Sequence, residues 1–280
     1  MRNRNRLDHF VPQGYLEGFV GPSGDGQLSV FDRKESRWFE SGTAGVGAIR
    51  GFYDYSDGSE PDQTADDAFK ELETTFPAVR RALVAKGFVD WPKHREFLLR
   101  LAQMLRARSL MFREQSLVRN RSLTFLRIEQ ILPPEPSKTE PGKFVTPIRY
   151  SHHVPSEAEL VNKTITDMRT EIADGAAWMS DLHWCLRVTQ NLSNPFVTCD
   201  GPVVMEGRVP QAEALRDWGT LVFFPLCWQA CLVGSPAKFD NGDGALDPSD
   251  MKKLRALYLK SAIRFVFSPT RIELEVPGPG

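Results

Sequence analysis

Long apolar runs are scarce in this sequence. The most apolar stretch, Leu221 to Val233, is broken by Pro225 and Gln229. It falls short of the roughly 20 residues that a membrane-spanning helix needs, so no membrane partner is expected. The opening residues, MRNRNRLDHFVPQ, have the positive start of a secretory leader, but no apolar stretch of roughly 7 to 15 residues follows and secretion is not expected. Cysteine is sparse: Cys185, Cys199, Cys227 and Cys231 sit in apolar, strand-like runs without Cys-x-x-Cys spacing. They read as buried reduced thiols of a cytoplasmic protein rather than as a zinc or redox site. Charge of one sign is missing too. The 35 Lys and Arg against 36 Asp and Glu leave a formal charge of −1, so binding to nucleic acid or an anionic surface must come from a local patch. No Gly-x4-Gly-Lys-Ser/Thr loop and no Gly-x-Ser-x-Gly elbow occurs, which sets aside phosphate-loop and acyl-hydrolase readings.

What is present suits a folded chain. With 41% hydrophobic residues in 280, a core can form without disulfides or structural metal. Gln27 to Asp32 and Trp38 to Phe39 flank a turn and predict a β-hairpin. Apolar residues at three- and four-residue steps predict a helix over 64–86 with Pro77 inside it, and a longer one from near Pro92 toward Leu132. Five prolines between Pro133 and Pro147 read as a linker between an N-terminal lobe, 1–132, and a C-terminal lobe, 148–280, in one compact unit. Ser156 and Glu159 form a capping box for a third helix, extending to Met179. Strands are then predicted at 184–189, 196–198, 203–206, 221–224 and 230–233, a helix from Ser249 to about Phe265, and a last strand over 271–276. Consecutive strands without intervening helices favour antiparallel pairing, hence an α+β fold: a helical N-terminal half with a hairpin, then a mainly antiparallel sheet packed by helices.

Several polar residues stand on apolar ground. Between His94 and Arg127 lie Arg95, Arg100, Arg106, Arg108, Arg113, Arg119, Arg121 and Arg127 against only Glu96 and Glu114. Facing outward, such a ridge would hold nucleic acid or a nucleotide; the bland alternative is a solvated face paired with the acidic run Asp62 to Glu73. Arg108 falls inside the apolar stripe of its helix, among Leu101, Leu105 and Phe112, and so requires a buried acidic partner, for which Glu73 is placed, or an anionic ligand. His9 and Gln13 lie in HFVPQGYLEGF and Asp200 in NPFVTCDGPVV; each is either a ligand-facing group or an ordinary structural residue, Asp200 a turn starter. His152 and His153, before Pro155, read as loop or surface residues.

HFVPQGYLEGF, LSVFDR, GFYDY at 51–55, ELE at 71–73, QMLRARS at 103–109, FVTCDGPVV and FFPLCW occur in this order. Together they resemble the uncharacterised, mainly bacterial family called domain of unknown function 4238. The resemblance covers about Asn5 to Phe267. It implies that His9, Pro12, Gln13, Tyr15, Glu73, either Arg106 or Arg108, and Asp200 are the family-type positions.

Two expectations about function follow. In one, a hydrolase or transferase acts on a phosphoester of a nucleotide or nucleic acid, with His9 as general acid or base. Glu73 and Asp200 then orient it or bind a divalent cation, while Gln13, Tyr15 and Arg106 or Arg108 hold the substrate. In the other, a non-catalytic module binds nucleic acid or an acidic ligand through the arginine-rich helix.

Overall fold

Pro12 sets the first bend. In the computed structural model, which describes residues 7–22, 25–55, 64–122, 125–173, 177–207, 217, 219–239 and 242–274, β1 (Leu7–His9) runs into Pro12 at φ −60°, ψ 142°, and α1 (Gln13–Leu16) starts beyond it. The expected hairpin follows as β2 (Gln27–Asp32) and β3 (Arg37–Gly42), and β4 (Ala48–Arg50) pairs antiparallel with β1. Gly47, at φ +68°, lets the N–H groups of Phe10 and Val11 both reach its carbonyl, at 2.9 and 3.2 Å. A Cβ there would stand 3.2 Å from the Val11 carbonyl, so the loop that carries His9 depends on glycine at 47.

Three helices come next: α2 (Thr64–Lys86) with Pro77 inside it, α3 (Trp91–Arg108) and α4 (Leu110–Arg121). The single long helix expected from Pro92 toward Leu132 is thus two helices and a strand. Ser109 leaves helical backbone at φ −68°, ψ 152°, and its hydroxyl caps α4 by accepting from the Phe112 N–H at 3.0 Å. The Leu110 N–H turns instead to the Asp200 carbonyl, 3.2 Å away. Beyond α4, β5 (Phe125–Ile131) runs out toward β6 (Glu135–Pro136) and β7 (Phe144–Val145), and β8 (Ile148–His153) returns antiparallel to β5. The proline-rich stretch, expected as a linker, forms the outer end of a hairpin arm, and His152 and His153 lie in a strand.

The capping box opens α5 (Glu157–Ala173). The Ser156 N–H donates to Glu159 at 2.9 Å, the Glu159 N–H donates to the Ser156 hydroxyl at 3.3 Å, and His153 Nε2 lies 2.9 Å from the same carboxylate. His153 first, then Ser156, hold the Glu159 pKa down at about 2. A depressed carboxylate contributes stability that is complete above its unfolded pKa and is lost as the pH falls through the folded one. Melting temperature is therefore expected to fall between pH 4.5 and about 2, and this part of the profile is expected to flatten in Glu159→Gln when thermal melts are compared across pH 2–6. An unchanged profile would show that the box contributes nothing in acid.

After α6 (Ala177–Ser180) come β9 (His183–Val188), β10 (Thr198–Cys199), β11 (Val204–Glu206), β12 (Leu221–Cys227), β13 (Ala230–Ser235), β14 (Gly244–Ala245), α7 (Pro248–Ser261) and β15 (Phe265–Ser268). One sheet has the order β11-β12-β13-β9-β14, antiparallel except for β14 against β9; the other has the order β10-β15-β2-β3. The fold is α+β. The last strand lies at 265–268, where a helix end was expected, while 271–274 are not a strand and 275–276 fall outside the described residues. Because β2 pairs with β15, the two expected lobes share a sheet.

Alternation along the five-stranded sheet gives it two cores. Leu186, Val222, Phe224 and Leu232 point to one face, where Phe10, Tyr15, Leu16, Phe76, Leu98 and Leu105 pack. Cys185, Phe223, Cys231 and Val233 point to the other, under Met251, Leu254 and Tyr258 of α7. Among the described residues no helix is long and apolar enough to cross a membrane.

Candidate functional site

Arg108 ends α3 beneath the N-terminal loop, and its guanidinium gathers residues from three distant stretches. Nε donates to the Tyr53 hydroxyl at 3.0 Å, Nη2 to the His9 carbonyl at 2.8 Å, and Nη1 to the Glu73 carboxylate on α2. Burial opposes the charge, but Tyr53 and Glu73 more than offset it, so the pKa stands above the ordinary guanidinium value. The His9 imidazole is half-buried, and desolvation lowers its pKa below the usual 6.5, which leaves it neutral at pH 7. The exposed Gln13 amide donates to His9 Nε2 at 3.1 Å. His9, Gln13, Glu73 and Arg108 thus converge, and of the two arginines Arg108 is the one that is buried.

Asp200, Tyr15 and Arg106 do not join them. The Asp200 carboxylate is fully buried and accepts three backbone N–H bonds, from Ile263 at 2.8 Å, Arg264 at 2.5 Å and Phe265 at 2.9 Å. Burial raises its pKa while these donors pull it down. It fixes the start of β15 and is sealed from solvent. Tyr15, expected to touch substrate, is 2% exposed and lies in the core, with its hydroxyl donating to the Pro225 carbonyl at 2.6 Å beside Thr198. Arg106 turns the other way and pairs with Glu171 on α5, which Gln103 also meets at 2.8 Å. With Glu73 held by Arg108 and Asp200 sealed, the pair expected to bind a divalent cation is not assembled. Among the described residues no group of three His, Cys, Asp or Glu side chains is placed to hold a metal ion.

The arginine ridge sorts in the same way. Arg119 bonds Asp167 at 3.0 Å and Arg121 bonds Glu157 at 2.7 Å, both acids on α5. Arg113 lies 4.5 Å over the Phe52 ring, and Arg127 belongs to β5 rather than to the helix. Among the described residues the acidic partners of the ridge lie mainly on α5, with Glu73 taken from the expected run; Asp62 and the side chains of Asp66 and Asp67 fall outside them. Arg95 and Arg100 differ. They line a cavity of about 600 Å³ at the start of α3, with Trp91, Pro92, Glu96 and Leu99 on the same helix and Ser180 across from it. Arg95 Nη2 donates to the Ser180 carbonyl at 2.5 Å. Arg100 is exposed and has no ion pair or hydrogen bond among the described residues, although Glu96 precedes it by one turn.

The sequence profile of a family described as a protein of unknown function, DUF4238, matches residues 8–271, nearly the whole chain. The chain belongs to the DUF4238 family. No curated protein and no solved structure matches it. In this DUF4238 chain the family-type residues Tyr15, Asp200 and Arg108 are buried, whereas His9, Gln13 and Glu73 keep part of their side chains in water. Sequence reasoning missed Trp91 and Ser180. The only signal was the pair of adjacent helical rows, Trp91–Arg95–Leu99 and Pro92–Glu96–Arg100, at four-residue steps; Ser180 arrives from another element and leaves no trace in the pattern. The four cysteines are free and buried, and desolvation pushes Cys185 up to about 11, which makes it a poor nucleophile at neutral pH.

Proposed function

We propose that this DUF4238 protein is a non-catalytic binding module for an anionic ligand, held at the cavity between the start of α3 and Ser180. The observation that carries this reading is the division among the arginines. Those farther along the ridge meet Glu171, Glu73, Asp167, Glu157 or an aromatic ring, whereas Arg100 faces the cavity without an acidic partner among the described residues. Lysine or arginine charge left unneutralised beside an apolar wall attracts anions more strongly than the same charge in open water. The phosphoester-hydrolase reading finds less support, because it needs an arginine free to meet developing charge. Arg108 is bonded to Tyr53, Glu73 and the His9 carbonyl, and Asp200 points elsewhere. Buried thiols and the lack of an apolar spanning helix among the described residues fit a cytoplasmic setting.

The test compares the chain with Arg100→Glu across a panel of phosphate and carboxylate anions at low salt, by thermal shift. A ligand present at about 100 times its Kd adds about 2.7 kcal/mol, so at least one anion is expected to raise the wild-type melting temperature by about 5 °C. The same anion is expected to leave Arg100→Glu unmoved. If no anion distinguishes the two proteins, the reading fails.

A further inference from the structure

We propose that the occupant of the α3 cavity is a mononucleotide, its base on Trp91 and its phosphate on Arg100 and Arg95. This rests on the anion-binding reading above and adds the planar ring to it. The cavity has two chemical halves. Trp91, partly buried and packed against the main core, together with Pro92 and the buried Leu99, gives an apolar wall with an aromatic face. Purines and pyrimidines stack on such faces irrespective of sequence. The other half is polar. On a helix rising about 1.5 Å and turning about 100° per residue, Arg95 stands about 6 Å beyond Trp91 on nearly the same side, and Arg100 about 13.5 Å beyond it and half a turn round, so the cations are displaced both along and around the axis from the ring wall while lining the same cavity. Ser180 holds Arg95 at the wall through one Nη, and its other donors have no partner among the described residues.

Glu96 narrows the class further. It lines the cavity between the arginines and pairs with neither. A bare inorganic anion would be repelled by that carboxylate, whereas a ligand with N–H or O–H donors beside its phosphate meets it favourably. A nucleotide has both, in its ribose hydroxyls and in the amino or imino groups of its base. The size agrees: about 600 Å³ lies in the ordinary range for a small-molecule pocket. A polynucleotide does not fit this arrangement, because it needs a track of free cations for its backbone. The arginines that would supply one, Arg106, Arg119 and Arg121, are paired with α5.

Isothermal titration at low salt with AMP, UMP, ribose 5-phosphate, adenosine and a 5′-phosphorylated RNA decamer tests the assignment. AMP or UMP is expected to bind at least tenfold more tightly than ribose 5-phosphate and adenosine. Arg100→Glu is expected to weaken the nucleotide at least tenfold, and Trp91→Leu to erase the advantage of nucleotide over ribose 5-phosphate. Should Trp91→Leu fail to fold, the ligand series on the wild-type chain decides alone. Equal binding of nucleotide and ribose 5-phosphate, lost in Arg100→Glu, overturns the ring contact and leaves the anion site standing. A decamer that binds more tightly than either nucleotide overturns the mononucleotide assignment, as does nucleotide binding indifferent to Arg100. Failure of all five probes, together with no effect from the wider anion panel, removes both readings.

Discussion

Arg108→Ala is expected to lower the unfolding free energy by about 3 kcal/mol, the lower end of the range for breaking a buried ion pair. The lower end applies because the Glu73 side chain keeps 33% of its surface in water, against 10% for Arg108. The substitution leaves the Glu73 carboxylate and the Tyr53 hydroxyl without the guanidinium donor and the His9 carbonyl with the Tyr53 hydroxyl at 3.4 Å in its place, and it opens the space under the loop that Gly47 shapes. In a chain of this size the melting temperature falls by about 5–6 °C. Arg108→Lys restores only part of the loss, since one ammonium cannot reach three acceptors placed for a planar fork. Urea unfolding followed by tryptophan fluorescence measures both variants. A change below about 1 kcal/mol in Arg108→Ala would show that the clamp is not holding the loop.

Asp200→Ala is expected to cost about 4 kcal/mol, more than the clamp. The carboxylate is the acceptor for three consecutive N–H groups, Ile263 to Phe265, at 2.8, 2.5 and 2.9 Å. Alanine leaves them without it at about 1–3 kcal/mol each where water cannot enter. The effect is on the fold alone: ligand affinity per folded molecule, read by titration at low temperature, is expected to stay within about twofold of wild type, since Asp200 does not line the α3 cavity. A stable Asp200→Ala protein that has lost its ligand would return Asp200 to the binding machinery and would contradict its placement in the core.

Both variants act on residues that the sequence already marked, and the manner of marking explains what could be read from it. Arg108 was legible because a guanidinium inside an apolar stripe must find a partner, and Glu73 was the acid at the right edge of the neighbouring helix. Asp200 was legible only as an odd carboxylate at a strand end. Its three donors lie more than 60 residues away, and no local pattern announces them. The overrun of α3 has a similar cause. Leu110, Met111 and Phe112 continue the helical stripe, and the break depends on the Ser109 hydroxyl and on the distant Asp200 carbonyl, which accepts from the Leu110 N–H. Strand β5, FLRIEQI, carries apolar residues at spacings that suit either period, so helix and strand were not separable there. The cavity was the least legible feature, since Ser180 closes onto α3 from across the chain.

The pairing of β2 with β15 bears on synthesis at the ribosome. Asp32 receives Arg264, 232 residues later, at 3.0 Å, and Val30 and Phe31 of the nascent hairpin wait throughout that interval for Phe267 and Val266. An apolar strand edge left open so long is a template for sticking to other chains. Closure of this sheet therefore waits until 265–268 have been made, and until then the hairpin edge must be shielded by other means.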